Sequence, residues 1–180
     1  MRVGIALAGD WYTAMEMVRH AKIADRKGFD SVWVAEHYYF RDALSTLAAI
    51  AAETSRIKLC TGVINVYTRN PALIAMSAAT INELSGGRMI LGIGTGLPIW
   101  IEQQMGIPMG KPLVSMKESI QIIRKIMAGD SVSYEGNLFK VRDIRLDFGI
   151  KFGQIPIYIA AVGPKMLQLG GEICDEIIEL

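Results

Sequence analysis

Ile155-Pro156-Ile157-Tyr158-Ile159-Ala160-Ala161-Val162 decides how the chain reads. It is almost wholly apolar and has no clean polar and apolar alternation. Tyr158 and Ala160 stand between the isoleucines, so neither face is polar. A strand of that kind is buried on both sides, which is the mark of a parallel sheet covered by helices. The same rhythm extends backwards from it. Strands are predicted over 2–8, 31–35, 57–66 and 88–93, and a sixth begins at 176. Between them the helical spacing of apolar residues predicts helices over 13–27, 42–54, 71–84, 113–128 and 164–174. Gly28 stops the first helix, Asp42 is placed to cap the second, and Pro71 sits in the first turn of the third.

One segment breaks the alternation. Residues 131–147, with Val132, Tyr134, Gly136-Asn137, Phe139 and Val141, predict a hairpin inserted before the fifth strand. The class is therefore α/β, one domain over 1–180 with that insertion. Two windings accept it, an eightfold (β/α) barrel and a doubly wound open sheet.

Composition narrows the chemistry. The 180 residues are 51% hydrophobic, and mean hydropathy is +0.30. Nineteen basic residues against 18 acidic leave a net charge of +1, which argues against a nucleic-acid or anionic-membrane partner. No apolar run approaches a membrane span, and Met1-Arg2-Val3-Gly4-Ile5 opens without a leader pattern. The two cysteines, Cys60 and Cys174, lie far apart and make neither a disulfide framework nor a metal cluster. A cytoplasmic chain with small buried thiols is the expectation, and no metal is expected.

Both windings place chemistry at the C-terminal ends of strands. There the sequence puts Gly9-Asp10-Trp11, Glu36-His37-Tyr38-Tyr39, Thr61 to Arg69, Gly92-Ile93-Gly94-Thr95-Gly96 and Ala160 to Pro164. The opposite ends carry what read as surface residues, Lys58 and Arg88. Glu36 beside His37 can orient a ligand or move a proton, or can be a solvated pair. The glycines at 92, 94 and 96 lack the spacing of a dinucleotide loop, but bare backbone lets a flat ring approach. Gly163-Pro164-Lys165 offers helix N-terminal donors and a positive charge suited to phosphate, or an ordinary helix start. Trp11, Trp33 and Trp100 read as packing residues. A small-molecule enzyme follows, with no Ser-His-Asp arrangement, metal spacing or Walker loop.

At this point a resemblance appears. Gly28 to His37, Thr61 to Pro71, Leu84-Ser85-Gly86-Gly87-Arg88-Met89-Ile90-Leu91-Gly92-Ile93-Gly94 and Ile157 to Met166 resemble, in order and spacing, the luciferase-like oxidoreductases. Within them the likeness is to the branch using deazaflavin coenzyme F420, the methylenetetrahydromethanopterin reductases among them. That resemblance implies a (β/α)8 TIM barrel, here incomplete, with about five βα units and the start of a sixth strand. It implies hydride transfer between F420 and a small organic substrate, in a homo-oligomer. Glu36 and His37 would be catalytic and lie beside the ring. Gly62-Val63 falls where such members have a cis peptide bulging against the back of the ring. Asn65, Thr95 and Gly96 would line the ring pocket, and Ala161, Val162 and Gly163 the cofactor tail.

Two departures accompany the resemblance. Ala6 stands where the reductase branch has a glutamate, and the chain is shorter than a full barrel, as a truncated form would be. An FMN-dependent monooxygenase and an inactive barrel fragment serving as a subunit are the other two readings. In the fragment, inner-face residues such as Ile157 and Ile159 are expected to be exposed.

Overall fold

Strand and helix alternate from the N-terminus, beginning with β1 (Gly4–Ala8), α1 (Ala14–Lys27), β2 (Ser31–Ala35) and α2 (Ala43–Glu53). Then come β3 (Lys58–Thr61), β4 (Ile64–Asn65), α3 (Pro71–Ser85) and β5 (Met89–Gly94). A π-helical turn (Ile99–Gln104) leads to α4 (Pro112–Met127), which is followed by β6 (Val132–Glu135) and β7 (Lys140–Ile144). The described chain closes with β8 (Ile157–Ala161), α5 (Pro164–Ile173) and β9 (Glu176–Glu179). The structure, a computed structural model, describes residues 2–179.

Local chemistry sets the helix ends. The Glu16 amide donates to Thr13 Oγ1 at 3.3 Å, and the Thr13 amide donates to Glu16 Oε2 at 2.8 Å, closing a capping box on α1. Gly28, at φ +89°, supplies the left-handed residue that ends that helix. Asp42 caps α2 through the Ser45 amide at 2.6 Å, and Asn70 caps α3 through the Ala72 amide at 2.9 Å.

The strands lie in the order β1-β2-β3-β5-β8-β9, every neighbour parallel, with β4 also paired to β5. That order follows the chain without reversal. The helices likewise touch in succession, α1 to α2, α2 to α3, α3 to α4 and α4 to α5. A doubly wound sheet reverses its order and places helices on both faces. Here one face takes all five, so the winding is that of a barrel wall. β6 and β7 form a separate antiparallel hairpin within the predicted insertion.

Register then assigns the faces. Val32 pairs with Leu59, Leu59 with Met89, Leu91 with Ile157, and Ile93 with Ile159. All of these are buried under the helices, at no more than 1% exposure. The alternate row faces the barrel interior: Trp33, Ile90, Tyr158, Ala160 and Ile178, each half-buried. This corrects the expectation for Ile157 and Ile159. They point outward into the helix layer, where Gly170 of α5 comes so close that a Cβ would stand 2.6 Å from Ile159 Cγ2. An apolar strand carries no polar residue to mark its faces, so only the partner register decides between them.

Two further expectations change. Arg88 is 8% exposed and donates to the carbonyls of Ala51 (3.0 Å), Thr54 (2.8 Å), Ile57 (2.9 Å) and Ser85 (2.7 Å). It ties the end of α2 to the starts of β3 and β5. The predicted third strand divides into β3 and β4, separated by Gly62-Val63.

Candidate functional site at the strand ends

The division of the third strand builds the floor of the site. The Gly62–Val63 peptide bond is cis, as the resemblance implied, and Val63 turns toward the interior face of β5. Gly92 and Gly94 lie beneath it. A Cβ at Gly94 would stand 2.7 Å from Val63 Cγ2, and one at Gly92 3.1 Å from Val63 Cγ1. A Cβ at Gly92 would also strike the Thr61 carbonyl. Both glycines are therefore required by close approach rather than by backbone angle. The result is a flat apolar step made of Val63, the two glycines and Ala160.

Beside the step, Asn65 is buried at 2% exposure and every polar atom is engaged. Its Oδ1 accepts from the Tyr67 amide at 2.7 Å and the Thr68 amide at 3.2 Å. Its Nδ2 donates to Tyr38 Oη at 2.8 Å. Gly96, at φ +65°, lies against this pair, since a Cβ there would be 2.5 Å from Asn65 Nδ2 and 2.6 Å from Tyr38 Oη. Burial pushes the Tyr38 phenol up, against the Asn65 hydrogen bond, so it keeps its proton. The Trp100 ring lies 6.2 Å from the Tyr38 ring at a 40° tilt. The structure thus brings Asn65 and Gly96 together with Val63 close by, and Thr95 half-buried next to them in the chain.

Glu36 and His37 have different partners. Glu36 Oε2 accepts the Ala43 amide at 2.9 Å, and Oε1 accepts from Arg69 Nη2 at 3.0 Å. Its side chain is only 12% exposed. Arg69 also pairs with Asp42. Burial acts to raise the Asp42 carboxyl, but the Ser45 hydrogen bonds and Arg69 outweigh it and hold it below the usual carboxylate range. Glu36 is thereby a clamp between the second and third strand ends and the start of α2. His37, half exposed, meets Asp10 Oδ1 at 3.2 Å through Nδ1. Its ring lines the mouth beside Tyr39 and Phe40. Arg69, Asp42, Tyr38 and Asp10 were not named as site residues from sequence. Their signal was present, since charged and hydroxyl groups at successive strand ends must find partners once the strands align.

The third predicted group divides as well. Ala161 is buried at 1% exposure with its side chain in the helix layer, while Val162 is 79% exposed. Gly163 precedes Pro164 at the start of α5 without a side-chain cap. A cavity of about 290 Å³ opens at the mouth, lined by Glu36, His37, Tyr39, Phe40, Arg69 and Met105. Trp11, read as a packing residue, is 77% exposed on the rim. A larger cavity of about 370 Å³ lies at the other end of the sheet, against Arg124, Gln154 and Ile155, and holds none of the predicted residues. Both cysteines are free, and burial pushes the Cys60 thiol up to about 12 and Cys174 up to about 11. Among the described residues no cluster is arranged to hold a metal, and no helix is long and apolar enough to cross a membrane.

The luciferase-like monooxygenase family matches residues 1–178. Among curated relatives, the 5,10-methylenetetrahydromethanopterin reductase of Methanolobus tindarius is 45% identical over 164 residues, 91% of this chain and 49% of that protein. The reductase of the same name from Archaeoglobus fulgidus is 44% identical over 178 residues, 99% of this chain and 52% of that protein. Among solved structures, the coenzyme F420 dependent tetrahydromethanopterin reductase of Methanopyrus kandleri superposes with a TM-score of 0.90 at 31% identity. That superposition covers 98% of this chain and 55% of the other. The chain spans about half the length of the curated relatives it matches.

Proposed function

The chain belongs to the luciferase-like monooxygenase family, and from that premise we propose that it contributes to an oxidoreductase using coenzyme F420 and a small organic substrate. The observation that carries this reading is the apolar step, with Val63 turned inward over two glycines that admit no side chain. A flat ring can rest against such a surface, and the coenzyme F420 dependent reductase of Methanopyrus kandleri shares the fold of this chain. The residues present fit the group. Val63, Gly92, Gly94 and Ala160 would hold one side of a ring, Asn65 and Gly96 its border, and Val162 and Gly163 the tail. When bound, F420 supplies a ring carbon that gives or takes a hydride.

The chain's own residues orient and exclude. Glu36, held by Arg69 and the Ala43 amide, fixes the spacing of the strand ends. Asn65 holds the Tyr38 hydroxyl at the pocket border. His37, oriented by Asp10, is the group able to exchange a proton with substrate at the mouth. The free thiols support a reducing, cytoplasmic setting.

F420 fluorescence tests the reading. Micromolar chain is expected to quench it, and His37→Gln to leave the quench in place. A chain that leaves F420 fluorescence untouched overturns the proposal. FMN is the second reading, favoured by the monooxygenase description of the family. Retained FMN with oxygen consumption and indifference to F420 would establish it.

A further inference from the structure

We propose that the N-terminal end of the sheet, opposite the mouth, holds a binding site for a phosphorylated small molecule. A cavity of about 500 Å³ opens there, where the starts of β1, β2, β3, β5 and β8 converge. Arg2, Arg56 and Lys58 line it against a single carboxylate, Asp30. That carboxylate accepts the Val3 amide at 2.6 Å. Among the described residues no carboxylate stands within ion-pair distance of any of the three cations. Arg56 is steadied by its bond to the Asp25 carbonyl at 2.9 Å. Lys58 pairs in register with Ser31, two residues before Cys60 meets Trp33, and so begins the row that faces the interior.

Like charges gathered in this way repel one another, and an anion among them relieves the repulsion. The guanidinium forks of Arg2 and Arg56 suit phosphate oxygens, and Lys58 adds a point charge. The cavity lies within the range of about 300–1,000 Å³ typical of small-molecule sites. Phe29, Ile90 and Pro156 supply an apolar wall for an organic body. Tyr158 adds a hydroxyl to the lining. Burial, with the Glu176 carboxylate beside it, pushes that phenol up to about 12, so it keeps its proton and can donate. Barrel chemistry gathers at the other end of the strands. The inference therefore does not depend on which cofactor binds at the mouth.

Calorimetric titration tests it, with adenosine monophosphate as the probe and adenosine as the neutral control. Saturable binding of the monophosphate alone is expected. Arg2→Gln and Lys58→Gln should each weaken it about tenfold, while Lys58→Arg largely keeps it. Both side chains are exposed, so the thermal midpoint without probe should not move in these variants. No binding at millimolar monophosphate overturns the proposal, as does equal binding of adenosine. Binding lost in Lys165→Gln but kept in Lys58→Gln would place the phosphate at the start of α5 and overturn it as well. A chain that binds the monophosphate yet leaves F420 fluorescence untouched supports this site and counts against the cofactor reading alone.

Discussion

Gly94 shows what a single side chain decides. A methyl group there meets Val63 Cγ2 at 2.7 Å, so Gly94→Ala overpacks the step. The expected cost is about 1–3 kcal/mol in urea unfolding. Removing the opposing methyls with Val63→Ala should recover part of it in the double variant, because the two sites share one contact. Strictly additive losses would show that the clash is not the cause. The glycines were legible in the sequence as bare backbone at a strand end. The side chain that covers them was not legible from composition or periodicity, since the inward turn of Val63 arises where β3 gives way to β4. The same limit applied at Glu36. Its position at a strand end was readable, but its capture by Arg69 and the Ala43 amide depends on residues 33 and 7 positions away.

The inserted hairpin is the element whose attachment can be titrated. Glu118 of α4 is 4% exposed and accepts from the amides of Asn137 (2.6 Å), Leu138 (2.9 Å) and Phe139 (3.1 Å). Burial acts to raise its carboxyl, but those three donors hold it below the usual range. A depressed carboxylate contributes fully above its unfolded value, near 4.3, and the contribution fades as pH falls through the folded value. Glu118→Gln should therefore lose about 1–3 kcal/mol at neutral pH. The gap between wild type and variant should close on acidification below about pH 4. Urea midpoints from pH 7 to pH 3 measure it, and a gap that persists in acid would contradict the assignment. The hairpin itself was readable from Gly136-Asn137 between alternating residues. Its anchor was not, because a glutamate on a helix reads as solvated until a turn is brought against it. The π-helical turn at Ile99–Gln104 also went unread, since its five-residue bonding leaves no apolar period of its own.

At the scale of the molecule, the open side of the sheet makes its own prediction. Ile178 pairs with Ala160 on the interior row and is only half-buried in the lone chain. Ile178→Lys should leave the thermal midpoint of this chain nearly unchanged. A large drop in the midpoint would mean that the row is already packed. The sequence by itself determined the α/β class, the element order, the helix caps at Gly28 and Asp42, and the strand ends where chemistry gathers. Those features rest on local periodicity, capping and turn chemistry, which act over a few residues. Local periodicity left barrel and doubly wound sheet both open, the family resemblance implied the barrel, and the strand order agrees with it; only the tertiary structure decided which face of β8 is the interior. It placed Arg88 in the core and Arg69 on Glu36, and among the described residues it aligned six strand positions in one parallel sheet. Strand order, register and long-range ion pairs join residues tens of positions apart, and no local pattern carries that information.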